Sequence, residues 1–296
     1  RFLNNYKKNN SYLISDYFSY KNIYKTYPNK KFDIITSYAM FYDIEDPLKF
    51  CKDIAKLLNQ NGVWSLELSY LPLLIQNMTY DQICHEHITY YDLTMLRKIL
   101  LKARIKILDV SFNEINGGSF NIICSKINSR LKINKKKIEK IIKRESTLFH
   151  KNDLSSFSLR VKNSAKVARE YLYLLKETNK SVFGYGASTK GNIVLNYSKI
   201  DNNLIKYICD ANTFKLKKIT PGSRIKIISK NEMRKMRCDY LFVLIWPFRK
   251  EVISQEVSFI KKGGKLIFPL PVFHIVDKSN YKHYLKRDLA DFAFQL

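Results

Sequence analysis

The chain has 296 residues, 46% hydrophobic and 14% aromatic, with only 9 Gly and 7 Pro. That is enough apolar material for two buried cores, and it excludes a disordered, fibrous or low-complexity protein. Lys and Arg number 52 against 26 Asp and Glu, a formal net charge of +26; no nucleic-acid motif accompanies the excess, so it is read as compositional, with no nucleic-acid partner and some capacity to hold an anionic small molecule.

Ser11–Ile14 reads as a short strand followed by Asp16-Tyr17-Phe18. Phe32–Ser37 is a continuous apolar run of the kind a buried parallel sheet uses. Asp46-Pro47 predicts a helix start, with Leu48, Cys51, Ile54, Ala55 and Leu58 at helical spacing and Asn61-Gly62 as its end. Val63–Leu68 is the next strand, which makes a βαβ unit. Residues 69–91 look irregular. A helix is expected at Thr94–Ala103, then strands at Ile105–Val110 and Ser119–Cys124, paired as an edge hairpin around Gly117-Gly118.

The basic stretch Lys126–Arg144 predicts a solvated amphipathic helix, and Leu154–Thr178 a second one. A new α/β unit then begins: a strand at Ser181–Phe183, a Gly-rich turn at Gly184–Gly191, and strands at Ile205–Asp210, Asp239–Trp246 and Lys265–Phe268. The expected boundaries are 1–128, a helical connector at 129–178, and 179–296. Five cysteines (Cys51, Cys84, Cys124, Cys209, Cys238) sit at no metal or redox spacing, and their odd number argues against a disulfide framework. With no signal peptide or membrane-length apolar run, a cytoplasmic protein without a membrane partner is expected.

In a nucleotide-type sheet, ligands sit at the carboxyl ends of the strands. Asp16 and Tyr17, and then Ser37, Ala39 and Met40, lie at such ends. Asp16 suits the acceptor of an amino group, and equally a plain loop acid. The densest chemistry is Tyr80–Tyr91, where His85, Glu86, His87 and Tyr90 fall together. His moves protons near neutral pH, a neighbouring Glu orients it, and Tyr donates to a developing oxyanion. The zincin spacing His-Glu-x-x-His is absent, so no metal is assigned. Gly117, Gly118 and Ser119 form a turn that either brings amides to a ligand or simply closes a hairpin. Gly184, Gly186 and Lys190 lie in a loop that favours an anion, with Asp210 where a ribose-binding acid of a nicotinamide enzyme would fall; a plain strand-to-helix turn is the alternative.

FDIITSYAMFYDIEDP, NGVWSLELSYLP, YDQICHEHITYY and NGGSF, then VFGYGASTKGNIVLNY, ICDANTFKLKKITPG and IFPLP, together resemble the sugar C-methyltransferase family over about residues 11–272. The resemblance implies a partial class I methyltransferase (Rossmann-like) sheet followed by a second Rossmann-like α/β domain. It also implies S-adenosylmethionine as cofactor, a nucleotide-linked keto-sugar as substrate, and methyl transfer to carbon through an enolate. Asp16, Ser37 and Ala39 would border the cofactor. His85, His87 and the Gly117 turn would line the sugar pocket, and Lys190 would be a phosphate contact. Family members carry an N-terminal four-cysteine zinc domain and a Gly-rich cofactor loop that this sequence lacks; it starts at Arg1, so a truncated record is expected, with zinc confined to that missing domain. Many members have His where Asn116 stands here, which leaves His85 and His87 as candidate bases. Methyl transfer to oxygen, a nicotinamide-dependent enzyme and a non-catalytic nucleotide-binding remnant are the competing readings.

Overall fold

The computed structural model describes residues 13–148 and 151–288. The described chain divides into two compact units, each built from more than one stretch of sequence. The first comprises Arg1–Leu68, Ile88–Asn113 and Phe120–Thr147; the second comprises Ser69–His87, Glu114–Ser119 and Leu148–Leu296.

The first unit opens with helix α1 (Tyr20–Thr26) and strand β1 (Phe32–Tyr38). The expected strand at Ser11–Ile14 lies partly outside the described residues, and Leu13 and Ile14 are not in a strand. Helix α2 (Pro47–Leu57) starts where predicted: Asp46 accepts from the Lys49 N–H at 2.9 Å, and Pro47 occupies the first turn, where its missing N–H costs nothing. Its Phe50, Cys51, Ile54 and Leu57 form the buried stripe. The helix ends at Leu57, four residues before Asn61-Gly62, because β2 (Leu58–Ser69) already begins there. The register between β1 and β2 jumps from Phe32–Leu58 to Ile34–Val63, which absorbs the extra residues. Gly62 sits in this irregularity, where a Cβ would stand 2.7 Å from the Phe32 carbonyl oxygen.

Helix α4 (Leu93–Lys102) and strands β3 (Ile105–Asn113) and β4 (Ser119–Lys126) complete a sheet of order β1-β2-β4-β3. The two C-terminal strands are neighbours with β3 at the edge, as the Gly117-Gly118 turn suggested. β1 is the other edge of the described sheet, so its apolar run is not buried throughout, and Ile34 is 70% exposed. Between β2 and α4 the stretch expected to be irregular contains a short helix, α3 (Leu71–Gln76), and a 3-10 turn at Tyr80–Gln82.

Helix α5 (Lys135–Leu148) is shorter than the basic run that predicted it and is not wholly solvated. Ile138 is buried, and the buried Glu145 carboxylate accepts from the Leu93 N–H at 2.7 Å and the Thr94 N–H at 3.0 Å. Those are free amides of the first turn of α4, where a negative charge is favoured.

In the second unit, α6 (Lys151–Glu177) precedes a six-stranded sheet of order β10-β9-β8-β5-β6-β7. Its strands are β5 (Val182–Tyr185), β6 (Tyr207–Asp210), β7 (Lys226–Ser229), β8 (Tyr240–Val243), β9 (Lys265–Phe268) and β10 (His274–Val276). All neighbours are parallel except β10, which runs antiparallel on β9. Helices α7 (Thr189–Tyr197), α8 (Lys230–Lys235), α9 (Arg249–Gln255) and α10 (Val257–Lys261) lie between strands along the chain, and α11 (Tyr281–Lys286) follows β10. The central strands are apolar on both faces: Leu241, Phe242, Val243, Leu266, Ile267 and Phe268 are all fully buried. The chain leaves β5 in one direction through β6 and β7 and returns to the other side as β8 and β9. The strand order therefore reverses between β5 and β8.

Glu145→Ala leaves two amide donors of α4 without their carboxylate. It should lower unfolding stability by about 2–3 kcal/mol, whereas Glu139→Ala, at an exposed position of the same helix, should change it by less than about 0.5 kcal/mol. Urea titration of both variants checks this.

Candidate active site

The reversal between β5 and β8 is where a parallel sheet opens a crevice at its carboxyl edge. A cavity of about 320 Å³ lies in the second unit, and its lining includes Ser188 and Lys190 after β5 and Leu244, Ile245 and Pro247 after β8. Glycines hold the two loops close. Gly186 has a φ of 88°, and a Cβ there would stand 2.5 Å from Ile245. Gly184 faces Ile208 as tightly. Ser188 caps α7 by accepting from the Gly191 N–H at 2.9 Å. Asp210 does not stand free at this edge: its carboxylate accepts from the Ala187 N–H at 2.8 Å and the Asn212 N–H at 2.7 Å, and Lys215 lies 3.5 Å away. An acid engaged in this way holds the Gly-rich loop and has little capacity left for a ribose.

Two distant segments complete the cavity lining with Asp81 and with Glu114, Ile115 and Asn116. The Asn116–Gly118 turn is held along its carbonyls. The Asn116 oxygen accepts from Gln82 Nε2 at 2.9 Å, the Gly117 oxygen from Asn77 Nδ2 at 2.8 Å, and the Gly118 oxygen from the Tyr70 N–H at 3.1 Å. Gly117, at φ 84°, leaves no room for a Cβ, which would sit 2.5 Å from Thr79 Cγ2 and from the Trp246 ring. Asn116 adopts φ 56° and ψ 21°, a left-handed conformation that Asn tolerates better than most residues. Ser119 is buried, and its hydroxyl donates to the Ile115 carbonyl at 2.9 Å.

Asp81 is 1% exposed. Its Oδ2 accepts from Trp246 Nε1 at 2.8 Å, and its Oδ1 has no hydrogen-bond partner among the described residues. Burial pushes its carboxyl up to about 6, against the opposing pull of the indole hydrogen bond and the Lys190 charge. Lys190 is held in turn: its Nζ donates to Asn116 Oδ1 at 2.7 Å. Burial lowers its pKa, while the Asp81 charge raises it. Three of the predicted residues, Asn116, Gly117 and Lys190, are thus brought together. Asp81, whose charge acts on Lys190, and Trp246, whose ring lies against Gly117, have no role assigned from sequence. A carboxylate four residues before His85 carries no signal of its burial, and Trp246 read only as the end of a strand.

The histidine segment lies in the same unit. His85 Nδ1 is 3.3 Å from Glu86 Oε2, but the His85 side chain is 91% exposed. The His87 N–H donates to the Cys84 carbonyl at 3.2 Å, closing a tight turn. Interactions with its own backbone N–H and with the Cys84 thiol hold the Glu86 carboxyl below its usual range. Tyr90 falls in the first unit.

The expected cofactor residues also belong to the first unit. Ser37 is buried, and its oxygen accepts from Trp64 Nε1 at 3.1 Å. Ala39 turns the chain at the end of β1 with φ 53°, its N–H bonded to the Glu67 carbonyl at 2.9 Å. Asp16 and Tyr17 are exposed. Asp16 Oδ1 accepts from the Tyr17 N–H at 2.7 Å, and Oδ2 has no partner among the described residues. That oxygen is an acceptor suited to an amino or hydroxyl group. Among the described residues no group of three His, Cys, Asp or Glu is placed to hold a metal ion, and no helix is long and apolar enough to cross a membrane.

The family model for the C-methyltransferase C-terminal domain matches residues 114–271, more than half of the chain. The chain belongs to that family. A methyltransferase-domain model matches residues 7–109. The C-methyltransferase NovU of Streptomyces niveus is 28% identical over 241 residues, which cover 81% of this chain and 57% of that protein. The chain thus spans little more than half the length of this curated relative. A solved complex of the Haloferax volcanii Trm112 methyltransferase activator aligns at 14% identity over 33% of this chain and 55% of that one, with a TM-score of 0.28. That overlap is too slight to bear on the fold. The paired family matches and the second sheet agree with the expected α/β, Rossmann-like class.

An Asp whose folded pKa lies above its unfolded value penalises folding as pH rises. For Asp81 the penalty is absent below about 4 and complete above about 6. Asp81→Asn keeps an acceptor for Trp246 and removes the charge. Relative to wild type, its stability should therefore rise between about pH 4 and about pH 7, by on the order of 3 kcal/mol. Urea unfolding at the two pH values measures the difference; a gap that does not change with pH would refute a raised pKa.

Proposed function

We propose that the protein is an S-adenosylmethionine-dependent C-methyltransferase that acts on a nucleotide-linked keto-sugar through an enolate. Membership in the C-methyltransferase family carries this reading, and the relative named a C-methyltransferase supports it. When bound, S-adenosylmethionine supplies an electrophilic methyl group. Asp16, Tyr17, Ser37, Ala39 and Met40 are the residues proposed to hold it.

The remaining chemistry asks three things of the chain: a base for the proton next to the ketone, hydrogen-bond donors for the enolate oxygen, and fixed positions for both. His85 and His87 are the proposed bases, with Glu86 orienting an imidazole and Tyr90 donating a hydrogen bond. The exposure of His85 makes His87 the better placed of the two, since a base shielded from water holds its geometry more firmly. Gly117, Gly118, Ser119, Gly184, Gly186 and Lys190 are the proposed sugar and nucleotide contacts.

The test is methyl transfer by the full protein from labelled S-adenosylmethionine to a nucleoside-diphosphate hexose bearing a ketone next to carbon 3. The product should carry its new methyl on carbon by NMR; a methyl on oxygen would replace this reading with an O-methyltransferase. Loss of a general base lowers rates by about 10²–10⁴-fold. His87→Ala should show a fall of that order, His85→Ala a smaller one, and full activity in the double variant would remove both histidines from the mechanism.

A further inference from the structure

We propose that Asn116 is the oxyanion donor of this site, with its amide aimed by Lys190. The inference rests on the methyltransferase reading and assigns a role to one side chain within it.

An ammonium group donates and never accepts. The atom of Asn116 that Lys190 Nζ approaches at 2.7 Å is therefore its carbonyl oxygen. The usual ambiguity between amide oxygen and nitrogen does not arise here, because the reversed orientation would set two donors against each other. The backbone oxygen of Asn116 is also taken, by Gln82 Nε2 at 2.9 Å. Both acceptors of the residue are engaged. Its Nδ2 hydrogens have no partner among the described residues, and Asn116 lines the cavity. What position 116 offers a ligand is a pair of N–H donors.

The surroundings strengthen this polarity. Lys190 is pulled from water, and the neighbouring Asp81 carboxylate favours its charged form. Asp81 is itself fixed by the Trp246 indole. The ammonium withdraws electron density from the Asn116 carbonyl and makes its amide a stronger donor. Left-handed backbone at 116 and Gly117 packed against Trp246 leave the turn little freedom to present another atom.

A donor of this kind matches a ketone oxygen that becomes an enolate. In that step the C–H bond next to the ketone breaks and its proton passes to an imidazole of His85 or His87. The C–H electron pair forms the new C=C bond, and the carbonyl π pair moves onto oxygen. Asn116 donates to that oxygen as its charge develops. Asn116 is the catalytic group in this proposal, and Lys190 is a positioning residue that acts through it.

Enolisation can be read without methyl transfer. The full protein is incubated in D₂O, without S-adenosylmethionine, with a nucleoside-diphosphate hexose bearing a ketone next to carbon 3. Loss of the carbon-3 proton signal is followed by NMR. Asn116→Asp keeps the shape and the Lys190 contact but replaces the donors with an acceptor. Its exchange kcat should fall by about 10²–10³-fold, the usual cost of losing one oxyanion donor. Lys190→Met should lower kcat by about 10–100-fold with KM little changed, as expected for a misplaced catalytic group. Lys190→Arg, which can still donate to the Asn116 oxygen, should recover most of that loss.

Exchange that survives Asn116→Asp would overturn the proposal while leaving the methyltransferase reading intact. A Lys190→Arg variant as slow as Lys190→Met would overturn the positioning role. A full protein that transfers methyl groups to such a sugar but never exchanges the carbon-3 proton would overturn the enolate donor alone, and one that does neither would overturn the functional reading as well.

Discussion

The hydrogen bond from the Trp246 indole to the buried Asp81 carboxylate joins residues 165 positions apart. Much of the second unit's chemistry hangs on it. A carboxylate withdrawn from water must be met by donors or neutralised. Here a single indole N–H meets one oxygen, and the Lys190 charge compensates at longer range. The same indole ring closes over Gly117. One side chain at the end of β8 thereby fixes both the Ser69–His87 segment and the Glu114–Ser119 turn onto the second sheet. Asn77, Gln82 and Tyr70 finish the attachment through three successive carbonyls of the turn.

Local signals were legible in the sequence where one residue type meets one local geometry. Asp46-Pro47 marked a helix start, Gly117-Gly118 marked the turn between neighbouring strands, and the apolar run at 265–268 is β9 to the residue. The errors have physical causes. Asn61-Gly62 has the composition of a helix stop, but it lies inside β2, where the tight approach to the Phe32 carbonyl requires a glycine for another reason. The basic helix at 135–148 reads as solvated because lysines dominate it, yet Ile138 is buried, Glu145 accepts from α4, and Lys137 pairs with Asp109 of β3 at 3.0 Å. β7, with Lys226 at its start and only Ile227 and Ile228 buried, is too short to show any periodicity.

The candidate site was legible by residue type and not by connection. His85, Glu86 and His87 declare themselves by crowding. Lys190 declares itself by its Gly-rich loop and reads as an anion contact. Nothing in the sequence reveals that this lysine lies against Asn116, because the two are 74 residues apart and belong to different local motifs. Nor does the sequence distinguish Asp81 from any loop acid, since burial is a property of the assembled unit. The partial charges of this pocket are set by those long-range meetings. Within it Asp81 is held by the neutral Trp246 and Lys190 by the neutral Asn116.

The assembly of the second unit from three stretches of sequence also sets an order of events during synthesis. At about 5–20 residues per second, a ribosome adds the 165 residues between Asp81 and Trp246 in on the order of ten to thirty seconds. Throughout that interval the carboxylate that ends in the core has no indole to receive it. The Ser69–His87 segment is therefore made well before the tryptophan that its carboxylate meets.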